Sequence, residues 1–313
     1  MMEGWLPWIA FNAFVLLLLA LDLGLLHRHA HVISCREAMG WSLFWVGLAL
    51  LFAVVVNYWM SLESSLQFLT GYLIEKSLSV DNIFVFALIF SYFRVPPQYQ
   101  HRVLFWGIIG ALLLRALMIA LGASLLEQFH WIIYLFGGFL LLTGIRIVAK
   151  SEIGIHPERN PLVNLFKRMV PVTSQYAEGR FFVKQNGKRH ATPLFLVLIM
   201  VESADIVFAV DSIPAIFAVA DDPFIVYTSN VFAILGLRSL YFALADLIYR
   251  FHYLKFGLAI IMTFVGINML LMDIYKIPVG FSLAFIFGVI VVAIVASMRY
   301  GPDQQSSGAL KEE

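Results

Sequence analysis

The sequence predicts an all-α, polytopic membrane protein with about nine transmembrane helices. Of its 313 residues, 61% are hydrophobic and 13% are charged, and the mean hydropathy is +0.86. Soluble proteins average about 45 to 50% apolar and about 25% charged residues. The apolar residues also form separate segments of close to the roughly 20 residues that a bilayer core requires. This pattern excludes a soluble globular domain, and a net charge of +1 gives no indication of nucleic-acid binding.

The predicted transmembrane segments divide the chain into six regions. The segments are 6–26, 40–60, 66–93, 103–125, 130–149, 193–219, 224–248, 254–272 and 278–298. The regions are two N-terminal helices in 1–65, a three-helix repeat in 66–149, a loop in 150–192, a second three-helix repeat in 193–275, a last helix in 276–298 and a tail in 299–313. The first segment lacks the basic start and the cleavage site of a signal peptide, so we expect it to be retained. The loop is too short for a core of its own, and Asn186-Gly187 predicts a hairpin turn within it.

Lysine and arginine residues concentrate in alternate loops, which predicts the orientation of the chain. The loops on one side hold nearly all of them, from Arg28 and Arg36 to Arg299 and Lys311, whereas Lys276 falls on the other side. We therefore expect a protein of the cytoplasmic membrane with its amino terminus outside and its carboxyl terminus in the cytoplasm.

Acidic residues recur inside two of the apolar segments, where a carboxylate costs roughly 2.5 to 3.5 kcal/mol to place. Polar residues of the first segment are Glu75, Asp81 and Asn82, and those of the second are Glu202, Asp205, Asp211 and Ser212. Placing VDNI of the first segment on VDSI of the second sets Glu75 opposite Asp205, six residues before the paired aspartate in each case. The repeated motif and its cost indicate a functional site.

The similarity between the two segments extends to the helices that follow them. Arg115 in LLRALMIAL aligns with Arg238 in GLRSLYFAL. Because the two segments cross the membrane in opposite directions, the pattern predicts inverted repeats with a substrate site near the bilayer midplane. Chance similarity between apolar helices explains this combination poorly.

The geometry of a straight helix cannot direct all three acids of the second segment at one ion. At 100° per residue, Asp205 and Asp211 point about 120° apart. Pro214 lacks a backbone donor for the carbonyl of Val210, so we expect the helix to open there. In the first segment we expect a break caused by polar side chains that compete for backbone partners, namely Ser77, Ser79 and Asn82.

The predicted ligands of the site are oxygen atoms, which suit magnesium, calcium or manganese. They come from Glu75, Asp81, Asn82, Asp205, Asp211 and Ser212, with Glu202 beside them or acting as a proton carrier. Five carboxylates against Arg115, Arg238 and Lys76 leave two negative charges, which one divalent cation or two protons would cancel. The structural alternative is a set of buried ion pairs with Arg115 and Arg238 as partners.

Three further features are weaker candidates. Asn230 could hydrogen-bond either a ligand or another helix, and Asp22 either lines the path or lies near a helix end. The cluster HRHAH at 27–31 has spacing that could hold a metal, although a solvated loop explains it better. The single cysteine, Cys35, excludes an intramolecular disulfide and gives no support for a redox site.

Three motifs resemble those of a known family. They are EKSLSVDNIFVF at 75–86, ESADIVFAVDSIPAIFAV at 202–219 and DPFIVYTSNVFAILGLRSLYF at 222–242. They are similar to the TerC family of integral membrane proteins, especially its alkali-inducible, Alx-like members. The resemblance implies an inverted-repeat fold like that of the LysE superfamily and the export of manganese, with the acidic motif residues as ligands. Members of the family are also implicated in supplying manganese to extracytoplasmic enzymes and in resistance to tellurium ions, and some carry the name of redox modulators.

Our leading hypothesis is a secondary transporter that exports Mn²⁺ as its substrate, uses no redox cofactor and exchanges protons for the metal. The alternative is a non-transporting scaffold or metal-loading protein for membrane or secreted partners, with the 150–192 loop as its contact surface. An enzyme is disfavoured, because the sequence shows no nucleophile and base pair, phosphate-binding loop or nucleotide motif.

Overall fold

The computed structural model describes residues 4–21, 35–129, 131–149, 160–173, 175–185, 188–244 and 253–300. In this part of the chain the helices are α1 (Trp5–Leu21), α2 (Cys35–Trp59), α3 (Leu62–Tyr92), α4 (Pro97–Gln128), α5 (Ile132–Ala149), α6 (Pro161–Met169), α7 (Pro193–Phe217), α8 (Pro223–Leu235), α9 (Leu237–Leu244), α10 (Leu254–Leu271) and α11 (Val279–Tyr300). Strands β1 (Phe182–Gln185) and β2 (Lys188–Ala191) form one antiparallel pair.

Among the described residues, six stretches of helix are long and apolar enough to cross a membrane, so the chain is a multi-pass integral membrane protein. These stretches are Arg36–Trp59, Pro97–Gln128, Pro193–Phe217, Pro223–Ala243, Leu254–Leu271 and Val279–Arg299. Two apolar helices, Trp5–Leu21 and Ile132–Ile147, are shorter, and α3 is 31 residues long but carries the charged residues of the first motif. The count of nine spans and the inverted repeats stay predictions.

Local sequence explains where several helices begin. Helices α4, α6, α7 and α8 each start with a proline, whose fixed φ suits the first helical turn and whose missing N–H has no helical acceptor there. The side chain of Ser61 caps α3 by accepting from the N–H of Ser64 at 3.0 Å, and Asp222 caps α8 by accepting from Phe224 at 2.8 Å. Each cap satisfies a backbone donor that has no helical partner.

Helices α3 and α7 lie at the centre of the protein and run antiparallel. Residues of both helices belong to all three clusters of the hydrophobic core. The start of α3, with Phe68, packs in the same cluster as the end of α7, with Phe217. The end of α3, with Phe90, shares a cluster with the start of α7, with Leu194. The two acidic motifs are therefore carried by adjacent central helices.

The predicted breaks in these two helices are wrong. Helix α3 is continuous. The hydroxyl groups of Ser77 and Ser79 donate to the carbonyls of Leu73 and Glu75, four residues earlier, at 2.6 and 2.8 Å, and these bonds are compatible with an unbroken helix. Helix α7 continues through Pro214 and ends at Phe217. A proline this close to the end of a helix removes one backbone bond. Asn268 Nδ2 of α10 donates to the carbonyl of Ala218, just after the end of α7, at 3.3 Å.

A helix interruption lies instead between α8 and α9, at Gly236. Here the chain caps α8 with φ −82° and ψ −1° before the next helix begins. The ammonium group of Lys76 donates to the carbonyl of Ala233 at 3.3 Å and so supplies a partner for one of the last carbonyls of α8. A Cβ atom at position 236 would lie 2.7 Å from Lys76 Nζ and 3.3 Å from Trp45 Cβ. Glycine at this position therefore leaves room for the ammonium group.

The segment that follows residue 160 packs against the ends of the membrane helices. Val163 is fully buried, and the rings of Phe166 and Phe195 lie 4.9 Å apart. The predicted hairpin is confirmed in its strands, with Gln185 paired to Lys188, whereas its turn at 186–187 lies outside the described residues. The segment thus shares the core of the membrane helices, as its short length requires.

Glycines allow α5 and α10 to pack in very close contact. A Cβ atom added to Gly266 would lie 2.9 Å from the carbonyl oxygen of Gly137 and 2.9 Å from the nitrogen of Leu141. These are backbone atoms, which cannot rotate away as a side chain can. Small residues at helix contacts let backbones approach in this way inside membranes.

We expect Gly266→Ala to lower the free energy of unfolding by about 1 to 3 kcal/mol, because the added methyl group forces the two helices apart. Thermal unfolding of the purified protein in detergent measures the effect. Gly138→Ala is the matched control, since a Cβ atom there would meet nothing within 4 Å. Equal stability of the two variants would contradict the close packing of α5 and α10.

Candidate ion site

The polar centre of the protein is Arg115 of α4, whose side chain is only 1% exposed. Its Nε and Nη2 atoms donate to the two carboxylate oxygens of Asp205 at 3.2 and 2.9 Å. Its Nη1 atom donates to Glu75 Oε1 and to Ser212 Oγ, the latter at 3.1 Å. All three nitrogens of the guanidinium group are thus bound to side chains of α3 and α7.

Helix periodicity explains which side chains face Arg115. Asp205 and Ser212 are seven residues apart on α7, which puts them on one face of the helix two turns from each other. Glu75 is on the facing side of α3 and is fully buried. Its second carboxylate oxygen accepts from Asn230 Nδ2 of α8 at 3.0 Å. Four helices therefore contribute to one hydrogen-bonded group.

The charges of Glu75 and Asp205 explain why both carboxylates are bonded to Arg115. A buried carboxylate without a partner costs several kcal/mol, and a bidentate arginine is the partner that best matches its geometry. Two carboxylates share one guanidinium group, so Glu75, Asp205 and Arg115 together carry a formal charge of −1.

Two buried amide oxygens near this centre have no hydrogen-bond partner among the described residues. They are Oδ1 of Asn230 and Oδ1 of Asn82, in side chains that are 0% and 1% exposed. Asn82 lies seven residues after Glu75, as Ser212 does after Asp205, so it occupies the same face of α3 as Glu75. Buried acceptors without partners are rare in native proteins and call for an explanation. Amide and carboxylate oxygens are suitable ligands for hard divalent cations.

A small cavity of about 10 Å³ lies beside Asp205. Its other lining residues include Arg238 of α9, which is buried, and apolar side chains of α3 and α4 such as Phe86 and Leu104. This volume accommodates about one water molecule. The side chains around Asp205 are therefore closely packed.

The remaining predicted site residues lie outside the hydrogen bonds of Arg115. Asp211 is half-buried and accepts from Thr143 Oγ1 of α5 at 3.4 Å. The carboxylate of Glu202 lies against the backbone of α4, since a Cβ atom at Gly110 would be 2.1 Å from Glu202 Oε1. Asp81 is half-buried on α3, and Asp22 lies outside the described residues.

Among the described residues, no three Asp, Glu, His or Cys side chains lie together as a group that could hold a metal ion. Arg115 contacts Glu75, Asp205 and Ser212, and Glu75 in turn contacts Asn230. It does not bring Asp81 and Asp211 to the same point, because continuous helices direct residues six positions apart about 120° away from each other. The metal ligation of all these residues stays a prediction.

The contact of Lys76 with the interruption at Gly236 was not predicted from the sequence. A glycine in the middle of the apolar run AILGLRSL is the signal that could have identified it. The contacts of Thr143 with Asp211 and of Gly110 with Glu202 depend on how α4, α5 and α7 pack. No local pattern in the sequence indicates those two contacts.

We expect Arg115→Gln to lower the free energy of unfolding by about 3 to 5 kcal/mol, because it leaves Glu75 and Asp205 buried without a counter-charge. Denaturation of the purified variant in detergent measures this loss. Arg146→Gln, at an exposed position on α5, is the matched control and should behave like the wild type. If both variants lost the same stability, the buried pairing would not be important for folding.

Comparisons with known proteins agree with this architecture. The family model described as integral membrane protein TerC family matches residues 60–305. A membrane protein of Myxococcus xanthus is 54% identical over 94% of this chain and 93% of its own length. The membrane-bound redox modulator Alx of Escherichia coli strain K12 is 48% identical over 97% of this chain and 98% of its own length. No solved structure gives a significant match. With a family model that covers most of its length and relatives that align nearly end to end, the chain belongs to the TerC family of integral membrane proteins.

Proposed function

We propose that this protein is a secondary transporter that exports a divalent metal cation, with Mn²⁺ as the substrate, from the cytoplasm across the cytoplasmic membrane. The observation that carries the proposal is the convergence of Glu75 and Asp205, from two antiparallel central helices, on one buried cationic group. Placing a carboxylate inside a membrane-spanning bundle is unfavourable in free energy. A site that binds and releases a cation gives a functional reason for retaining them.

In this proposal the guanidinium group of Arg115 occupies the place of the transported cation in the closed conformation. When Arg115 withdraws, the carboxylates of Glu75 and Asp205 become free to bind a metal. Ser212 Oγ, which also accepts from Arg115, and the unpartnered Oδ1 of Asn230 are further oxygen donors at the same place. The donor set favours Mn²⁺, Mg²⁺ or Ca²⁺ over Cu²⁺ or Zn²⁺, and the choice of Mn²⁺ rests on the family.

The antiparallel arrangement of α3 and α7 gives Asp81 and Asp211 distinct positions along a path. Each lies six residues, or about 9 Å of helix, beyond the central carboxylate of its own helix. Ser212, the residue after Asp211, shares Arg115 Nη1 with Glu75, so Asp211 lies near the level of Glu75 but on a different face of α7. Because the helices run in opposite directions, Asp81 follows Glu75 toward the level of Asp205. We propose that Asp81 and Asp211 are carboxylates that a cation meets beside the centre, on other faces of the two helices. This arrangement suits alternating access by inverted repeats.

Proton exchange is part of the proposal. Carboxylates that lose a metal ion in a dry site gain stability by taking up protons, so protons and Mn²⁺ compete for the same oxygens. Proteoliposomes that take up Mn²⁺ without any counter-movement of protons would remove this coupling. Metal export itself would still stand.

The alternative is a non-transporting scaffold or metal-loading partner that acts in extracytoplasmic metalation or in the response to tellurium or alkaline stress. The bonding of all three guanidinium nitrogens of Arg115 favours it, because this group would also serve as a purely structural ion pair. Redox modulation is named for the Alx relatives. The single cysteine of this chain does not allow an intramolecular dithiol reaction.

Transport by the purified protein in liposomes tests the proposal. We expect Mn²⁺ flux without added partners, reduced about tenfold or more in Glu75→Gln and Asp205→Asn, because each variant removes a charged ligand. Asp81→Asn and Asp211→Asn should also reduce the flux. Glu127→Gln, at an exposed position of α4, should transport like the wild type. Folded protein with no flux of any divalent cation would favour the scaffold.

The Arg115→Gln variant separates a metal site from a structural ion pair. We expect Mn²⁺ to raise its thermal midpoint more than that of the wild type, because the metal replaces the missing counter-charge and binding stabilises the folded state. Arg115→Gln combined with Asp205→Asn is the control and should lose the response. A variant whose stability does not depend on Mn²⁺, Mg²⁺ or Ca²⁺ would contradict metal binding at this centre.

A further inference from the structure

Helix α6 has a wide apolar face, of which only part is used for packing in the protein. At 100° per residue, its apolar side chains span an arc of about 160°. Val163 and Phe166 form one edge of this arc. Val163 is fully buried, and the Phe166 ring lies 4.9 Å from the ring of Phe195. This edge attaches α6 to the start of α7.

The other edge of the apolar face is exposed. Leu162, Leu165 and Met169 have 43%, 57% and 74% of their surface exposed. Their spacing of three and four residues places them on one continuous ridge. The opposite face carries Asn164 and Lys167. In water, three adjacent large apolar side chains would be unfavourable, so the ridge indicates a contact with an apolar environment.

The position of α6 places this ridge at the boundary of the membrane. Its contact residue Phe195 is in the first turn of α7, a membrane-spanning helix that begins at Pro193. The ring of Phe182 in β1 also lies 4.6 Å from Phe195. Tyr176 of the same segment donates its hydroxyl to the carbonyl of Phe93, just after the end of α3. The segment therefore covers the ends of α3 and α7, where the hydrocarbon core gives way to head groups.

The charge of the segment complements an anionic surface. Residues 160–192 include six basic residues, Lys167, Arg168, Lys184, Lys188, Arg180 and Arg189, and one acidic residue, Glu178. Lys167 and Arg168 lie in the last turn of α6 and are exposed. An exposed apolar ridge beside lysine and arginine is typical of helices that lie in a membrane interface. Basic residues at such a surface attract anionic lipids.

We infer that α6 is an interfacial helix that inserts Leu162, Leu165 and Met169 between the lipids at this end of the bundle and holds anionic head groups with Lys167 and Arg168. The contact ties the segment to the bilayer at the point where α7 begins. Zwitterionic lipids would cover the apolar ridge but would not supply the net negative charge that the basic residues match. Anionic phospholipid is therefore the partner that fits both parts of the surface.

Fluorescent labelling in nanodiscs tests the insertion of the ridge. The label is attached to Leu165→Cys or, as the matched control, to Asn164→Cys, each in full-length protein carrying Cys35→Ser. Both positions are exposed, so neither substitution disturbs the core. We expect nitroxide groups on the lipid chains to quench the label at 165 several-fold more than at 164, and aqueous iodide to do the reverse. Equal quenching by iodide at both positions, or shielding of position 165 from both quenchers, would overturn insertion.

A second measurement tests the head-group contact. We expect the thermal midpoint of the wild-type protein to be higher in nanodiscs of phosphatidylglycerol than in nanodiscs of phosphatidylcholine. The double variant Lys167→Gln, Arg168→Gln should lose most of this difference, whereas Lys255→Gln, on α10, should keep it. If the double variant kept the full difference, the proposed role of these two residues would be wrong.

Discussion

The structure depends on keeping two carboxylates buried in a membrane protein. Glu75 and Asp205 cannot be stable in hydrocarbon without a counter-charge, and Arg115 supplies it through bonds to both. This requirement fixes the distance between α3, α4 and α7. It also brings in Asn230 of α8, which satisfies the remaining oxygen of Glu75. The most polar group of the molecule thus specifies how its central helices meet.

The structure directs the two acids of each sequence motif to different surroundings. Each motif combines an acid near the middle of the bundle with a second acid six residues further along. In a continuous helix these two residues point in different directions. In the antiparallel pair, Asp211 lies near the level of Glu75, because its neighbour Ser212 bonds the same nitrogen of Arg115 as Glu75 does. A helix break at the motifs is not needed to direct the two acids of a motif differently.

An interruption of helix geometry does occur, but in the helix pair α8 and α9 that surrounds the centre. Gly236 leaves space for Lys76, and Lys76 bonds to the carbonyl of Ala233. Lys76 therefore stabilises the interruption, while the preceding residue, Glu75, binds Arg115. A single turn of α3 therefore contacts both the acidic centre and the interruption between α8 and α9.

The sequence by itself determined the membrane-protein class, the location of most apolar helices, the hairpin strands and the equivalent positions of Glu75 and Asp205 in a repeated motif. These follow from hydropathy, turn residues and a repeated motif, which are local properties of the chain. Only the tertiary structure decided that Arg115 pairs with both acids, that Asp211 contacts Thr143 instead, and that the helix interruption lies at Gly236. The physical reason is that the partner of a buried charge depends on which helices pack together. Neighbouring helices can also hold a proline such as Pro214 within a helix, which local propensity does not predict.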